Sequence, residues 1–286
     1  MIKKAVIPAA GFGTRFLPFT KAVPKEMIPL VDKPVIQYVI EEAAAAGITD
    51  ILIVISSGKM AIQEHFNPDA GLEARLAATG KTELLEELRR INKLANLHYV
   101  YQQELNGLGD AVLYAKSFIG SEPFAVLLGD TVLSSDRKPV IAQLLAAYEQ
   151  TKSSVIALEE VPMEKTSRYG VIGGESSDGV LYKVNALVEK PAPENAPSNL
   201  AVASRYVFTP EIFDYLVTTP RGKGNEIQLT DAMLSMLKNH AMYGCKFAGK
   251  RHDIGNKLDF IKSTVEFALK RPEFRDDILD YLRSIS

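Results

Sequence analysis

Two rhythms of apolar and polar positions alternate along this chain. Short runs with almost no polar interruption recur at residues 4–8, 51–55, 97–101, 124–128 and 154–158. Runs of that length predict strands covered on both faces. Between them, residues 35–46, 59–66, 72–94 and 138–151 carry apolar side chains at helical spacing. Pro34 opens the first of these helices and Gly47 stops it. Strand and helix in alternation imply an α/β fold: a Rossmann-like three-layer sandwich with a mainly parallel central sheet.

The texture changes near Val161. Turns and short strands dominate to about Tyr206, with pieces at 181–184, 186–188 and 201–208. This predicts a small, partly antiparallel insertion over the open edge of the first sheet. Thr209-Pro210 reads as a cap and first turn for a helix over 211–217. A helix over 230–239, a late strand over 243–248 and terminal helices over 256–268 and 274–282 complete the chain. Residues 1–286 thus read as one domain. Its parts are an α/β core (1–160), the insertion (161–206) and a segment that completes the sheet (207–286).

Charge and composition narrow the partners. The formal net charge is −2, so no overall basic bias points to nucleic acid or anionic lipid. A bound polyanion must therefore meet local positive charge. No apolar run reaches membrane-spanning length, and Pro8, Gly11, Gly13 and Arg15 interrupt any signal-peptide core. The cytoplasm is the expected compartment. Cys245 is the single cysteine, which excludes an internal disulfide framework, and its apolar surroundings predict a small buried hydrophobe.

The candidate chemistry starts at the end of the first strand, in Ala9-Ala10-Gly11-Phe12-Gly13-Thr14-Arg15. Such a turn falls at the carboxyl edge of the sheet, where ligands gather. Glycines let backbone N–H groups converge on phosphate oxygens, Thr14 adds a hydroxyl, and Arg15 adds a fork of donors. Lys25 follows ten residues later between Pro24 and Glu26. The set fits a nucleoside triphosphate attacked at phosphorus. The Gly-Lys-Ser/Thr ending of a P-loop is absent, and so is the third glycine of a dinucleotide fingerprint.

Other positions admit two readings each. Asp130 ends the strand 124–128 and Asp253 lies in Arg251-His252-Asp253-Ile254-Gly255. Each could bind a metal beside phosphates or cap a turn. Gln102 and Gln103 follow a strand, either to meet a base edge or as a polar strand end. Asp110 reads as a cap for a helix over 111–118. Glu189 and Lys190 precede Pro191. Neighbours on a strand face opposite ways, so both reach one ligand only if the strand ends there; otherwise they are an exposed ion pair.

The run from Ala9 to Tyr38, including Arg15-Phe-Leu-Pro and Pro24-Lys-Glu-Met, resembles the bacterial UTP–glucose-1-phosphate uridylyltransferases, members of the sugar-nucleotidyltransferases. The likeness continues through Gly107-Leu-Gly, Leu128-Gly-Asp, Val188-Glu-Lys-Pro, Glu226-Ile-Gln-Leu-Thr-Asp and Asp253-x-Gly. It implies the nucleotide-diphospho-sugar transferase fold, with UTP and glucose 1-phosphate as substrates and Mg²⁺ as cofactor. Homodimers or homotetramers are usual in that family. By this resemblance Ala9, Ala10, Gly11, Gly13, Thr14, Arg15, Lys25, Gln102, Gln103, Gly107 and Asp130 contact the nucleotide. Asp130 and Asp253 hold the metal. Gly170, Glu189 and Lys190 bind the sugar phosphate, which makes 161–206 the sugar-binding part. Arg15, Lys25, Asp130 and Lys190 are the implied catalytic groups. A thymidylyltransferase for the same sugar phosphate, and a regulatory homologue that binds nucleotide sugars without turnover, are the rival readings.

Overall fold

A computed structural model describes residues 1–285. Its strands are β1 (Lys4–Pro8), β2 (Pro29–Leu30), β3 (Lys33–Pro34), β4 (Asp50–Ile55), β5 (Asn96–Tyr101), β6 (Phe124–Leu127) and β7 (Thr131–Ser134). They continue as β8 (Ser154–Glu160), β9 (Gly170–Glu175), β10 (Leu181–Glu189), β11 (Leu200–Phe208), β12 (Met242–Lys246) and β13 (Lys250–Asp253). Nine of them form one sheet in the order β5-β4-β1-β6-β11-β8-β12-β10-β9. Pairings β5–β4, β4–β1, β1–β6 and β8–β12 are parallel, whereas β11 runs antiparallel between β6 and β8. The apolar runs explain the parallel half: β1, β4 and β6 have fully buried centres, covered on one face by the helix Val35–Ala45 and on the other by the helix Leu108–Leu113.

The insertion lies in the plane of the sheet rather than over its edge. β9 and β10 pair antiparallel and extend the sheet beyond β12. The pieces expected at 181–184 and 186–188 are one strand, interrupted by a bulge at Asn185. The helix expected over 72–94 is two, Ala70–Ala78 and Thr82–Ile91. Gly80 adopts φ 69° between them, a left-handed residue that ends the first helix. The helix after Thr209 begins at Ile212 without a side-chain cap, while Asn256 caps Lys257–Leu269 by accepting from the N–H groups of Leu258 and Asp259.

A buried ion pair ties this frame together. Arg205 of β11 is wholly buried and donates to Glu42 Oε2 from Nε at 3.0 Å and from a terminal nitrogen at 2.7 Å. It also reaches the carbonyls of Thr131 (2.9 Å) and Ser204 (3.0 Å), while Glu42 Oε1 accepts from Ile141 N–H at 3.0 Å. Each charge is thus hydrogen-bonded, as burial requires. The Thr131 contact fixes the chain immediately after Asp130. Among the described residues no helix is long and apolar enough to cross a membrane.

Candidate active site

The carboxyl ends of β1, β4, β5 and β6 share one edge of the sheet, and the segments leaving β1, β5 and β6 line a cavity of about 400 Å³. Residues 9–14 form one wall; Lys25, Glu26, Gln102 and Asp130 contribute to the rest. Ser56, just past β4, donates to the Ala10 carbonyl at 2.7 Å and steadies that wall. Gly13 takes left-handed backbone at φ 67°, and a Cβ there would stand 3.0 Å from Lys25 Cβ. Glycine alone admits both the conformation and the lysine stem lying on it.

Lys25 Nζ donates to Asp130 Oδ2 at 2.5 Å. Burial pushes the Asp130 carboxyl up, but Lys25 and Arg15 together hold it below the usual carboxylate range. Burial likewise works against the Lys25 ammonium, yet Asp130 and Glu26 raise it overall. Both groups are therefore charged at neutral pH. Asp253 arrives from the other end of the chain. The β7–β13 ribbon pairs Asp253 with Thr131, the residue after Asp130.

Three ionic groups meet around Gly255. A Cβ at that glycine would lie 3.1 Å from Asp253 Oδ1, 3.3 Å from an Arg15 terminal nitrogen and 4.0 Å from Asp130 Oδ2. Arg15 donates to the Gly255 carbonyl at 3.3 Å. No group of three or more His, Cys, Asp or Glu side chains that could hold a metal occurs among the described residues. Two carboxylates, Asp130 and Asp253, suit Mg²⁺, which keeps several waters and takes further oxygens from phosphates. The adjacent His252 is not part of this set. It is buried, contacts the hydroxyls of Ser134 and Ser263, and burial lowers it to about 4.

A second group gathers Gly170, Glu189 and Lys190. The β9–β10 register sets Glu189 opposite Gly170, and a Cβ on Gly170 would stand 3.2 Å from Glu189 Oε2. β10 ends at Glu189, and Lys190 takes left-handed backbone at φ 48°. That kink removes the alternation of a strand, so Lys190 Nζ reaches back to Glu189 Oε1 at 3.0 Å. Thr230 Oγ1 donates to Glu189 Oε2 at 2.7 Å. Arg168, two residues before Gly170, lies 3.4 Å from Asp253 Oδ2.

The two glutamines separate. Gln102 is buried and lines the cavity, whereas Gln103 is exposed and donates its backbone N–H to the Tyr114 hydroxyl at 3.2 Å. Gly107 also lines the cavity, but the close approach that needs glycine there is to protein: a Cβ would fall 2.7 Å from Glu226 Cβ. Asp110 does not cap a helix from 111. The helix begins at Leu108, with the free first-turn N–H of Gly109 satisfied by the Ile227 carbonyl at 2.9 Å, and Asp110 falls in its first turn.

Sequence reasoning gave no site role to Glu26, Glu226 or Thr230. Glu26 is fully buried beside Lys25, and its Oε2 accepts from the buried Lys59 at 2.7 Å. Burial raises the Glu26 carboxyl and lowers the Lys59 ammonium. The one available signal for Glu26 was an acidic residue set between the candidate Lys25 and the apolar stretch from Met27 to Leu30.

Residues 4–269 match the family model described as nucleotidyl transferase. A UTP–glucose-1-phosphate uridylyltransferase of Staphylococcus epidermidis is 54% identical over 284 residues, covering 99% of this chain and 98% of its own. A solved UDP-glucose pyrophosphorylase complexed with UDP-glucose superposes with a TM-score of 0.88 at 43% identity, covering 95% of this chain and all of its own. The UTP-bound enzyme of Acinetobacter baumannii gives 0.93 at 36% identity, with both chains fully covered. A phosphate-type turn, paired carboxylates and this breadth of likeness agree, and the chain belongs to the nucleotidyl transferase family, among the bacterial UTP–glucose-1-phosphate uridylyltransferases.

Proposed function

We propose that the chain transfers the uridylyl group of UTP to glucose 1-phosphate, giving UDP-glucose and pyrophosphate. The convergence of Arg15, Asp130 and Asp253 on Gly255, beside a glycine turn overlain by Lys25, carries this reading. A phosphate oxygen of the sugar attacks the α-phosphorus in line. The bond from that phosphorus to the β-phosphate oxygen breaks, and pyrophosphate leaves with the electron pair. The attacking oxygen is already anionic, so neither a covalent intermediate nor a strong general base is required.

The work is therefore positioning and charge compensation. Backbone N–H groups of residues 9–14 and the side chains of Thr14, Arg15 and Lys25 hold the triphosphate. Gln102, with Gly107, borders the base. Glu189 accepts from sugar hydroxyls, Gly170 leaves room for the ring, and Lys190 offsets the sugar phosphate. Asp130 and Asp253 would hold Mg²⁺, which when bound supplies positive charge to the triphosphate oxygens. Residues 1–286 act as one domain in this reading, with 161–206 on the sugar side. The small, water-soluble substrates suit a cytoplasmic homo-oligomer without nucleic acid or membrane partners.

A pyrophosphate-release screen tests the proposal. It crosses UTP, dTTP, CTP and ATP with glucose, galactose and N-acetylglucosamine 1-phosphates. UTP with glucose 1-phosphate should give the largest kcat/KM. Preference for dTTP would make the chain a thymidylyltransferase, and no release with any pair would leave only a regulatory, nucleotide-sugar-binding role.

A further inference from the structure

We infer that Asp110 is a specificity-determining positioning residue, which fixes the amide of Gln102 so that the cavity accepts an imide base and rejects an aminopyrimidine. The inference rests on the proposal that Gln102 meets the base. Gln102 follows β5 and lines the cavity, while Asp110 sits behind it in the helix Leu108–Leu113; both are buried. Gln102 Nε2 donates to Asp110 Oδ2 at 2.7 Å, and a longer contact of 3.4 Å runs from the same nitrogen to the Gly107 carbonyl.

The chemistry of the pair decides which way the amide faces. An ionised carboxylate only accepts hydrogen bonds, and a carbonyl oxygen does the same. Turning the amide over would set Gln102 Oε1 against Asp110 Oδ2 and the Gly107 carbonyl, three acceptors with no proton between them. In a buried site that arrangement carries a full desolvation penalty. The nitrogen is therefore committed to the protein, and Oε1 is the end left for a ligand.

An acceptor at that point distinguishes pyrimidines. Uracil and thymine carry a proton on N3 and satisfy Oε1. Neutral cytosine presents a bare N3 lone pair to it. A glutamine free to turn over could serve either base by exchanging its ends, so the selectivity belongs to Asp110 acting through Gln102. A site built around one hydrogen-bond polarity rejects the opposite polarity strongly, because the buried groups are left unpaired. The Gly107 carbonyl, the weaker acceptor at 3.4 Å, remains in a variant at 110.

The test compares UTP with CTP as substrates of the full-length protein and of Asp110→Asn. An asparagine is nearly isosteric and can offer either an oxygen or an N–H to Gln102, so the amide regains its freedom. The ratio of kcat/KM for UTP over CTP should fall roughly ten- to a hundred-fold, mainly through a lower KM for CTP, while kcat with UTP stays within a few-fold. Asp110→Leu, which offers no partner of either kind, should relax the ratio in the same direction. Should Asp110→Asn fold poorly, Asp110→Leu and a thermal melt of each protein keep the comparison available. An unchanged ratio in a folded variant, with activity lost equally on both nucleotides, would overturn the inference and leave Asp110 a packing residue. N3-methyl-UTP, tried on the unsubstituted protein, separates the two claims: good turnover of it would overturn the base contact of Gln102 itself.

Discussion

Lys25 Nζ and Asp130 Oδ2 are held 2.5 Å apart, so a proposed phosphate-binding cation and a proposed metal carboxylate stabilise each other's charge. Each is worth more to a polyanionic transition state than to the fold, since the cavity rim already leaves both partly open to water. Lys25→Ala should lower kcat by roughly 10²–10³, with a thermal melt close to that of the parent. Asp130→Asn should abolish Mg²⁺-dependent turnover while UTP retention is only weakened. A magnesium titration of activity that matches the parent's would refute the second assignment, and near-normal turnover of Lys25→Ala the first.

Lys190 depends on a backbone kink for its position. Its left-handed φ of 48° turns the side chain toward Glu189 at the end of β10. The pair is partly exposed, so its contribution to stability is small. Lys190→Ala should fold normally and lose most turnover at saturating UTP, with KM for glucose 1-phosphate raised. Steady-state kinetics beside a melt would check this, and a variant with parental turnover would remove Lys190 from the site.

Ser204 carries backbone strain in the middle of the sheet. Its φ is 61°, at the irregularity where β11 slips register against β8, and its carbonyl accepts from Leu128 N–H at 3.2 Å. A non-glycine residue there costs about 1–2 kcal/mol, offset in part by the greater unfolded-state freedom of glycine. Ser204→Gly should therefore stabilise the protein by roughly 0.5–1 kcal/mol without changing kcat. Urea unfolding would measure it; a destabilised variant would show that the serine side chain contributes more than its backbone costs.

His252 gives stability a pH dependence. Burial lowers its folded value from 6.5 to about 4, so between those values the unfolded chain binds more protons than the folded one. Its contribution is complete above pH 6.5 and is lost as pH falls toward 4, a total of about 3 kcal/mol. Replacing it by glutamine should flatten that part of the stability curve. Denaturant titrations at pH 7, 5.5 and 4.5 would show the difference between the two proteins shrinking with acid; a constant difference would contradict it.

Much of this protein could be read along the chain, and particular residues show where that stops. The buried run 51–55 is a strand because every residue in it must leave water, and Pro34 and Gly47 bound the helix Val35–Ala45 because one fits a helix start and the other its end. The glycine turn 9–15, with Arg15 and Lys25 near it, is equally local. Such features depend on propensity and spacing alone.

The remainder required chain segments far apart in sequence to meet. Spacing alone left Asp130 and Asp253 as separate candidates, linked only by the family resemblance, and the β7–β13 register brings them to one glycine. The antiparallel passage of β11 between β6 and β8, the kink at Lys190 and the Asp110–Gln102 bond are likewise settled by packing across the fold. The reason is energetic: apolar periodicity states which face a segment must bury, but many partners satisfy that demand. Only the assembled core, with its buried polar groups all needing partners at once, selects among them.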